Sequence, residues 1–400
     1  DMRADGIKVL AVAYSTTAAG WDGLVLCGFL GFFDRPKASA HAAIRSLSDL
    51  SVEVRVLTGD SASVARSTCK RLGIPAGNVI TGAMLDAMEE SEALVRVGRT
   101  RVFAELTPAQ KARIVGLIRL SGHAVGYIGD GVNDVPALTA ADVGIVVDSA
   151  AAESKKVADL VLRERDLGVV AEGVREGRAS FANASKYIRI ASSSNFGNIC
   201  SVAAASIFLP FVPATATQLL LLNLLYDATC LALSWDNVDG EEIARPKAWS
   251  GKGLGGFMLH FGFASSAFDI ITFAILFFGV CPAVCGASFM ALDAAGRAAF
   301  IAMFQAGWLL ECAWTESLVL LVLRTRCVRG ADRPRRLLAM MVGIMLVASA
   351  LLALGPAVQL IGLAALPAWY LGVVALLSVL YLVVVSVIKR VYLSRASSLF

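Results

Sequence analysis

The chain has 400 residues, 57% of them hydrophobic and 17% charged, with a mean hydropathy of +0.68. That is too apolar for an ordinary soluble domain and too mixed for a bare membrane bundle, so two regimes are expected in one chain. The 36 Lys and Arg against 32 Asp and Glu leave a net charge of +4, too small and too scattered for a nucleic-acid binder.

The sequence enters at Asp1 straight into an apolar run, and we expect it to be the later part of a longer protein, so the lack of a leader carries no weight. Residues 7–14 and 24–33, rich in Val, Leu and Phe, predict strands, and "FFDRPK" after them predicts a turn or hinge. Helical "KASAHAAIRSLSDL" then leads to strand "VEVRVL", to "TGD" and to helical "SASVARSTCKRLG". Helical "TPAQKARIVGLIRLSG" likewise leads to strand "AVGYIG", to "DGVND" and to helical "VPALTAA". Strands alternating with helices predict a parallel sheet with right-handed crossovers. Both polar clusters, Thr58-Gly59-Asp60 and Asp130 to Asp134, directly follow strands, where an open α/β sheet has its ligand crevice.

Beyond about Arg189 come six apolar runs long enough to cross a bilayer core of about 30 Å: 187–211, 218–235, 257–280, 298–323, 337–361 and 368–388. Arg324, Arg326, Arg329, Arg333, Arg335 and Arg336 crowd one connection, and Lys389, Arg390 and Arg395 follow the last run. The positive-inside rule puts both clusters, the soluble part and the C-terminus in the cytoplasm. The eight cysteines lack zinc spacing. Cys281 and Cys285 fall in a loop that this topology puts outside, where a disulfide is one reading and two free thiols the other.

Carboxylates gathered at a strand end repel one another unless a cation joins them, and Asp with Asn and water suits a hard ion such as Mg²⁺. Thr58 offers a hydroxyl to phosphate oxygens, and Lys111 offers a point charge to a transferred group. An isolated "TGD" is commonly just a turn and a lone Lys a solvated helix residue; their order and strand-end positions together describe a phosphoryl-transfer site.

"LTGD", "LTPAQK" and "GDGVNDVPAL" resemble the phosphorylation domain of P-type ATPases, a branch of the haloacid dehalogenase superfamily. The resemblance implies a haloacid dehalogenase-like α/β phosphorylation domain, a parallel sheet with flanking helices, followed by an all-α bundle of six transmembrane helices. It implies ATP as substrate and a catalytic Mg²⁺ held by Asp130 and Asp134, with Asn133 supporting metal and phosphate. Thr58 would hold the phosphoryl group, Gly59 and Asp60 complete that motif, and Lys111 would stabilise its charge. The family's Asp-Lys-Thr-Gly nucleophile motif does not occur in these 400 residues. The expected division is the end of a nucleotide-binding domain and return strand over 1–33, the phosphorylation domain over 34–178, a stalk with the fifth and sixth helices over 179–236, and the remaining helices over 237–400. Arg35 stands where the family usually has a second hinge proline.

Polar groups inside hydrocarbon are costly and mark candidate transport paths. Asn195 and Asn198 are three apart on the first run, and Asn223 and Asp227 four apart on the second, each pair on one helical face. Each asparagine alone could equally be an interhelical hydrogen bond, whereas Asp227 needs a cation or a proton. The resemblance implies the same positions as the ion site. "SSNFGN", "NLLYD", "WDNVD", "FGFASSAFDI" and "FQAGW" look like the bacterial magnesium-transporting subgroup, which implies Mg²⁺ import across the bacterial inner membrane, with ATP, the divalent cation and membrane lipid as partners and no nucleic acid. Glu311 and Glu316 are further candidates for the path or else snorkel to an interface; Asp269, in mid-span, reads as architectural. A calcium or other divalent-cation pump and a naturally truncated, non-catalytic membrane protein stay open as alternatives.

Overall fold

The computed structural model describes residues 8–15, 24–32, 37–249, 251, 253–326 and 334–395. The chain divides into two compact units, Asp1–Arg175 and Glu176–Phe400. The "FFDRPK" hinge, Arg329 and Arg333 fall wholly or mostly outside the described residues.

The first unit opens with β1 (Lys8–Ser15) and β2 (Leu24–Phe32), an antiparallel ribbon with a bulge between Val12 and Ala13. The α/β body follows in the order α1 (Ala38–Asp49), β3 (Val56–Leu57), α2 (Ala62–Leu72), β4 (Val79–Thr81), α3 (Gly82–Asp86), α4 (Glu90–Arg99), β5 (Val102–Ala104) and α5 (Pro108–Leu120). It continues through β6 (Gly126–Ile128), a 3₁₀ turn at Val132–Asp134, α6 (Val135–Ala140), β7 (Val143–Val147), α7 (Ala152–Val157) and β8 (Leu160–Leu162).

The expected single sheet is two parallel three-stranded sheets, ordered β3-β5-β4 and β6-β7-β8. The sequence favours a longer third strand, but only Val56 and Leu57 of "VEVRVL" join the ladder, paired with Val102 and Phe103. Leu57 packs with Phe103 and Ile114 on one side and with Tyr127 and Leu138 on the other, so one apolar residue joins the cores of the two sheets. Helix α5 starts where chemistry starts it: the Thr107 side chain accepts from Gln110 N, the Gln110 side chain accepts from Thr107 N, and Pro108 occupies the first turn, where no N–H partner is required.

Helix α8 (Leu167–Phe208) is continuous over 42 residues. The second unit adds α9 (Ala216–Leu231), α10 (Gly240–Ala244), α11 (Leu254–Phe257), α12 (Phe263–Ile275), α13 (Cys281–Cys285), α14 (Ala294–Leu323), α15 (Arg336–Leu354) and α16 (Tyr370–Arg395). Short π-helical segments, Met258–Gly262 and Leu276–Val280, link α11, α12 and α13 into one span, Leu254–Cys285.

Among the described residues five helices are long and apolar enough to cross a membrane, where the sequence predicts six. The sixth run lies in α8, whose hydropathy is lowered by Lys186, Arg189, Ser192 to Asn195 and Asn198. Its distal half packs all the same, with Ile190, Ala191 and Ala205 in the apolar cores of the helical unit. The predicted run 337–361 ends as α-helix at Leu354, before Gly355 and Pro356, and continues as 3₁₀ turns over Pro356–Ile361. Cys281 and Cys285 are both free, and Cys281 is fully buried. They share one helical turn of α13 instead of a loop, so the disulfide reading is withdrawn.

The helices come close where glycines allow it. A Cβ on Gly262 would lie 2.8 Å from Phe196 Cδ1 and 3.0 Å from Ser193 O, and one on Gly197 would lie 3.0 Å from Gly262 O. These two glycines let α8 and the start of α12 meet backbone to backbone, the contact membrane bundles rely on when burial from water no longer drives association.

Candidate functional site

In the first unit, the segment from Gly129 to Asp134 leaves β6 and turns at once into α6. Asp134 Oδ1 accepts two donors, Lys111 Nζ at 2.8 Å from α5 and Tyr127 Oη at 2.8 Å from β6. Both partners of the ion pair are largely shielded, with side-chain exposures of 13% and 14%. Burial of Asp134 opposes its ionisation, yet the hydrogen bonds from Lys111 and Tyr127 and the Lys111 charge outweigh it and hold the carboxyl below its ordinary range. Burial and the neighbouring carboxylate push the Tyr127 phenol up, so it stays a donor.

The other carboxylate oxygen faces a glycine: a Cβ on Gly129 would lie 2.6 Å from Asp134 Cβ and 2.8 Å from Oδ2. The loop is braced from outside by Ser154 Oγ, fully buried, donating to Gly131 O at 2.8 Å, and by Ala151 N donating to Asp130 O at 3.0 Å. Asp130 and Asn133 are exposed, and the Asp130 carboxylate has no ion pair among the described residues.

The Thr58-Gly59-Asp60 loop leaves β3 and is tied to the loop after β5. Leu106 N donates to Thr58 O at 3.1 Å, Glu105 N donates to Asp60 O at 2.9 Å, and Asp60 N donates to Thr58 Oγ1 at 3.1 Å. Glu105 is held at φ 55°, a left-handed conformation uncommon outside glycine. The structure thus gathers Lys111, Asp134, Asp130 and Asn133, and sets Thr58, Gly59 and Asp60 on a strand end whose Leu57 packs against Tyr127. Sequence reasoning missed Tyr127, Gly129 and Ser154. The signal for Tyr127 was its place in "GYIGD", three residues before Asp130 on the inward side of a strand.

A catalytic Mg²⁺ fits the residues present. Asp130 and the second oxygen of Asp134 leave hard oxygen donors uncommitted, and Gly129, lacking a Cβ, lets the Asp134 side chain pack against the loop backbone.

The helical unit holds a second polar centre. Asn198 Nδ2 donates to Glu316 Oε1 at 2.9 Å, and both residues are buried. Glu316 Oε2 is also buried and has no hydrogen-bond partner among the described residues. Asp227 is exposed, with Tyr187 Oη donating to its Oδ1 at 3.1 Å. Asn195 is exposed and Asn223 half-buried. Helices α8 and α9 meet through Tyr187 and Asp227, while the partner of Asn198 is Glu316 on α14. Glu311 and Glu316 do not snorkel; they are 1% and 4% exposed. Asp269, 2% exposed, accepts from Ser201 Oγ at 2.5 Å and from Trp308 Nε1 at 2.9 Å.

A third cluster ties α9 to the arginine-rich connection. Arg324 Nη1 lies 2.8 Å from Asp236 Oδ2, the two side chains being 2% and 0% exposed. Arg335 N donates to Asp236 Oδ1, while Thr325 Oγ1 and Arg326 N donate to Asp239. Lys186 Nζ donates to Asn183 Oδ1 and Asn237 O. Lys389 is buried and donates to Val322 O at 2.7 Å, within α16 and not in a tail beyond it.

Residues 8–142 match the family described as haloacid dehalogenase-like hydrolase, and residues 211–391 match the family described as cation transporting ATPase, C-terminus. A magnesium-transporting ATPase, P-type 1, of Salmonella typhimurium is 38% identical over 411 residues, covering 100% of this chain and 44% of that protein. The chain belongs to the P-type ATPase family. A second P-type relative, the magnesium-transporting ATPase, P-type 1, of Escherichia coli, is 40% identical over 335 residues, 82% of this chain and 36% of its own length. An endoplasmic reticulum calcium ATPase of Aspergillus fumigatus is 32% identical over 247 residues, 59% of this chain and 25% of its own. The chain thus spans less than half the length of the P-type ATPases it matches. The family assignment accounts for an α/β unit and a helical unit in one chain.

Proposed function

We propose that this chain is part of an ATP-driven divalent-cation transporter, moving Mg²⁺ inward across a bacterial inner membrane with the first unit and the C-terminus in the cytoplasm. The observation that carries the reading is the Lys111–Asp134 pair at 2.8 Å, set at the end of β6 in a loop that also carries Asp130 and Asn133. That is what an aspartyl-phosphate cycle needs at its metal end: a fixed cation to neutralise the transferred group and carboxylates to hold a hard ion.

In this proposal Asp130 and Asp134 hold the catalytic Mg²⁺, which supplies charge stabilisation to the transferred phosphoryl group. Thr58 Oγ1, which accepts from Asp60 N and keeps its own hydrogen to donate, and the backbone N–H of Gly59 receive phosphate oxygens. Lys111 does double duty, holding Asp134 in place and presenting its ammonium to the developing charge. Tyr127 fixes the rotamer of Asp134 and leaves Oδ2 for the metal. The accepting aspartate belongs to a part of the transporter outside these 400 residues.

For the transported ion we propose Asn195, Asn198, Asn223, Asp227 and Glu316. Asn198 and Glu316 form a buried amide and carboxylate pair with one oxygen free. Asp227 and Asn195, exposed here, are to be covered by further helices of a transporter of the relatives' length. Glu311 keeps different company, beside Asp269 and Cys312, and stands apart from this set.

The test is flux in proteoliposomes containing the full-length transporter, with ATP on the cytoplasmic side and Mg²⁺, Ca²⁺, Ni²⁺ and Mn²⁺ compared. Because Mg²⁺ is also the catalytic metal, transported ion and not ATPase rate must be read. ATP-dependent Mg²⁺ flux is expected; Ca²⁺ flux without Mg²⁺ flux would replace the ion assignment by the calcium reading.

A further inference from the structure

The first unit holds a cleft of about 460 Å³ at the end of the β3-β5-β4 sheet away from the Thr58 loop. Part of its lining comes from the residues that lead into β3 and β5, Val52 to Val54 and Arg101, whereas Thr58 leaves the other end of β3. His41, Ile44, Arg45 and Ser48 recur at helical spacing and give one face of α1 to the cleft. Ile44, Val54 and Leu72 form an apolar floor that packs onto the core of the sheet.

We propose that this cleft binds a small, soluble organic phosphate monoester, its phosphate held by Arg45, Arg101 and the Ser51 hydroxyl and its apolar body laid on Ile44, Val54 and Leu72.

Two independent features support it. The first is charge left without a partner. Arg45 makes no ion pair among the described residues, and Arg101 has only a 3.8 Å contact with Glu53. Glu53 is already engaged at 2.8 Å by Arg55, which lies outside the lining and is itself held by the carbonyls of Val97 and Gly98. Positive charge is therefore left over in the cleft. One guanidinium fork satisfies a carboxylate, whereas two forks and a hydroxyl suit the three terminal oxygens of a phosphate.

The second feature is in the backbone. Ser51 stands at φ 57° where the chain leaves α1, a left-handed conformation that favours glycine. Its hydroxyl makes no hydrogen bond among the described residues, so the turn gains nothing from having a serine there, yet the residue lines the cleft. The facing wall is set by a true glycine. Gly73 ends α2 at φ 74°, and a Cβ on it would lie 3.1 Å from His41 Nε2, so the end of α2 closes directly on α1. The volume falls within the range of about 300–1,000 Å³ usual for small-molecule sites. None of these residues belongs to the Asp130 to Asp134 loop, and the cleft does not depend on what the protein transports.

The experiment is equilibrium binding of 1-naphthylmethylphosphonate, a non-hydrolysable aromatic phosphate analogue, to the full-length protein in detergent, read by the fluorescence anisotropy of the naphthyl group. A saturating non-hydrolysable ATP analogue is present throughout to block the catalytic nucleotide site. Binding should saturate, weaken as salt is raised, and need at least tenfold more probe in Arg45→Gln or Arg101→Gln. Lys111→Ala should leave it unchanged. Ser51→Gly should raise the melting temperature by relieving the left-handed serine and yet weaken binding, a pairing that a merely structural serine would not give. Phenylphosphonate should displace the probe, and phosphatidic acid in the same micelles should not. Thermal melts identify any variant that does not fold, and Arg45→Gln, at an exposed position of α1, decides the matter where Arg101→Gln does not. No saturable binding to folded wild type, displacement by phosphatidic acid alone, or binding lost in Lys111→Ala and kept in both arginine variants would overturn the site.

Discussion

Asp134 is where the chemistry of single residues is most exposed to test. Its Oδ1 has two donors of different kinds, so removing the weaker one should loosen the carboxylate without releasing it. We predict that Tyr127→Phe costs about 1–2 kcal/mol of stability, the value of a hydrogen bond to a charged acceptor at a partly shielded site. The sign of the pH dependence follows from the depressed Asp134 carboxyl. Its stabilisation is complete above the unfolded value of about 3.9 and is lost as the pH falls through the folded value. Chemical unfolding of wild type and Tyr127→Phe should therefore differ at neutral pH and converge under acid; a gap that persisted in acid would mean that Tyr127 acts through packing. Gly129→Ala tests the space beside the same carboxylate, where the new methyl would meet Asp134 Cβ at 2.6 Å. Phosphoenzyme formation from ATP should drop at least 100-fold with stability lowered by roughly 1–3 kcal/mol, the usual cost of overpacking. Wild-type phosphorylation in Gly129→Ala would remove Asp134 from the metal site.

At the scale of elements, helices were the more legible half of the fold. Thr107, Pro108 and Gln110 announce the start of α5, and the alternation of helical and apolar runs placed β3 and β6 before their polar loops. Strands of two or three residues, such as β3, β4 and β5, are too short to show a period of two, so β4 and β5 left no readable pattern and the two-sheet arrangement stayed hidden. The polar faces of α8 and α9 were legible as faces but not as contacts, since periodicity cannot say that Asn198 meets Glu316, 118 residues away. Close approach of helices was likewise invisible, because a glycine in an apolar run says nothing about its neighbour. The Gly197 and Gly262 contact makes a prediction here: Gly262→Val should push α12 off α8 and lower the melting temperature in detergent, at a cost of about 1–3 kcal/mol. An unchanged melt would show that the helices can part without loss.

At the scale of the whole molecule, the basic connection before α15 turned out to be more than a topology signal. Arg324 is buried against Asp236, and the two residues that follow it in the chain bind Asp239. Charge counting reads these arginines as solvated, yet a buried partner turns one of them into a structural joint between α9 and α14. Arg324→Leu strands the Asp236 charge and should destabilise by about 3–5 kcal/mol, whereas Arg324→Leu with Asp236→Leu should recover most of that loss. A single variant as stable as wild type would mean that Asp236 is reached by water. The family and the Gly129 to Asp134 loop were carried by three short motifs, and the division into an α/β and a helical unit by alternating helical and apolar runs followed by long apolar ones. Tyr127, the Asp269 environment and the Arg324 joint depend on residues brought together from distant parts of the chain.

The account rests on one claim, that phosphoryl transfer at the Asp130 to Asp134 loop drives a divalent ion past Asp227. It is tested most directly by measuring phosphoenzyme and ATP-dependent Mg²⁺ flux on the same proteoliposomes of the full-length protein, wild type against Asp227→Asn. The account predicts that Asp227→Asn still binds ATP but loses at least 90% of the flux, with turnover no longer responsive to the transported ion. Flux at the wild-type level in Asp227→Asn would contradict it and move the transport path away from α9.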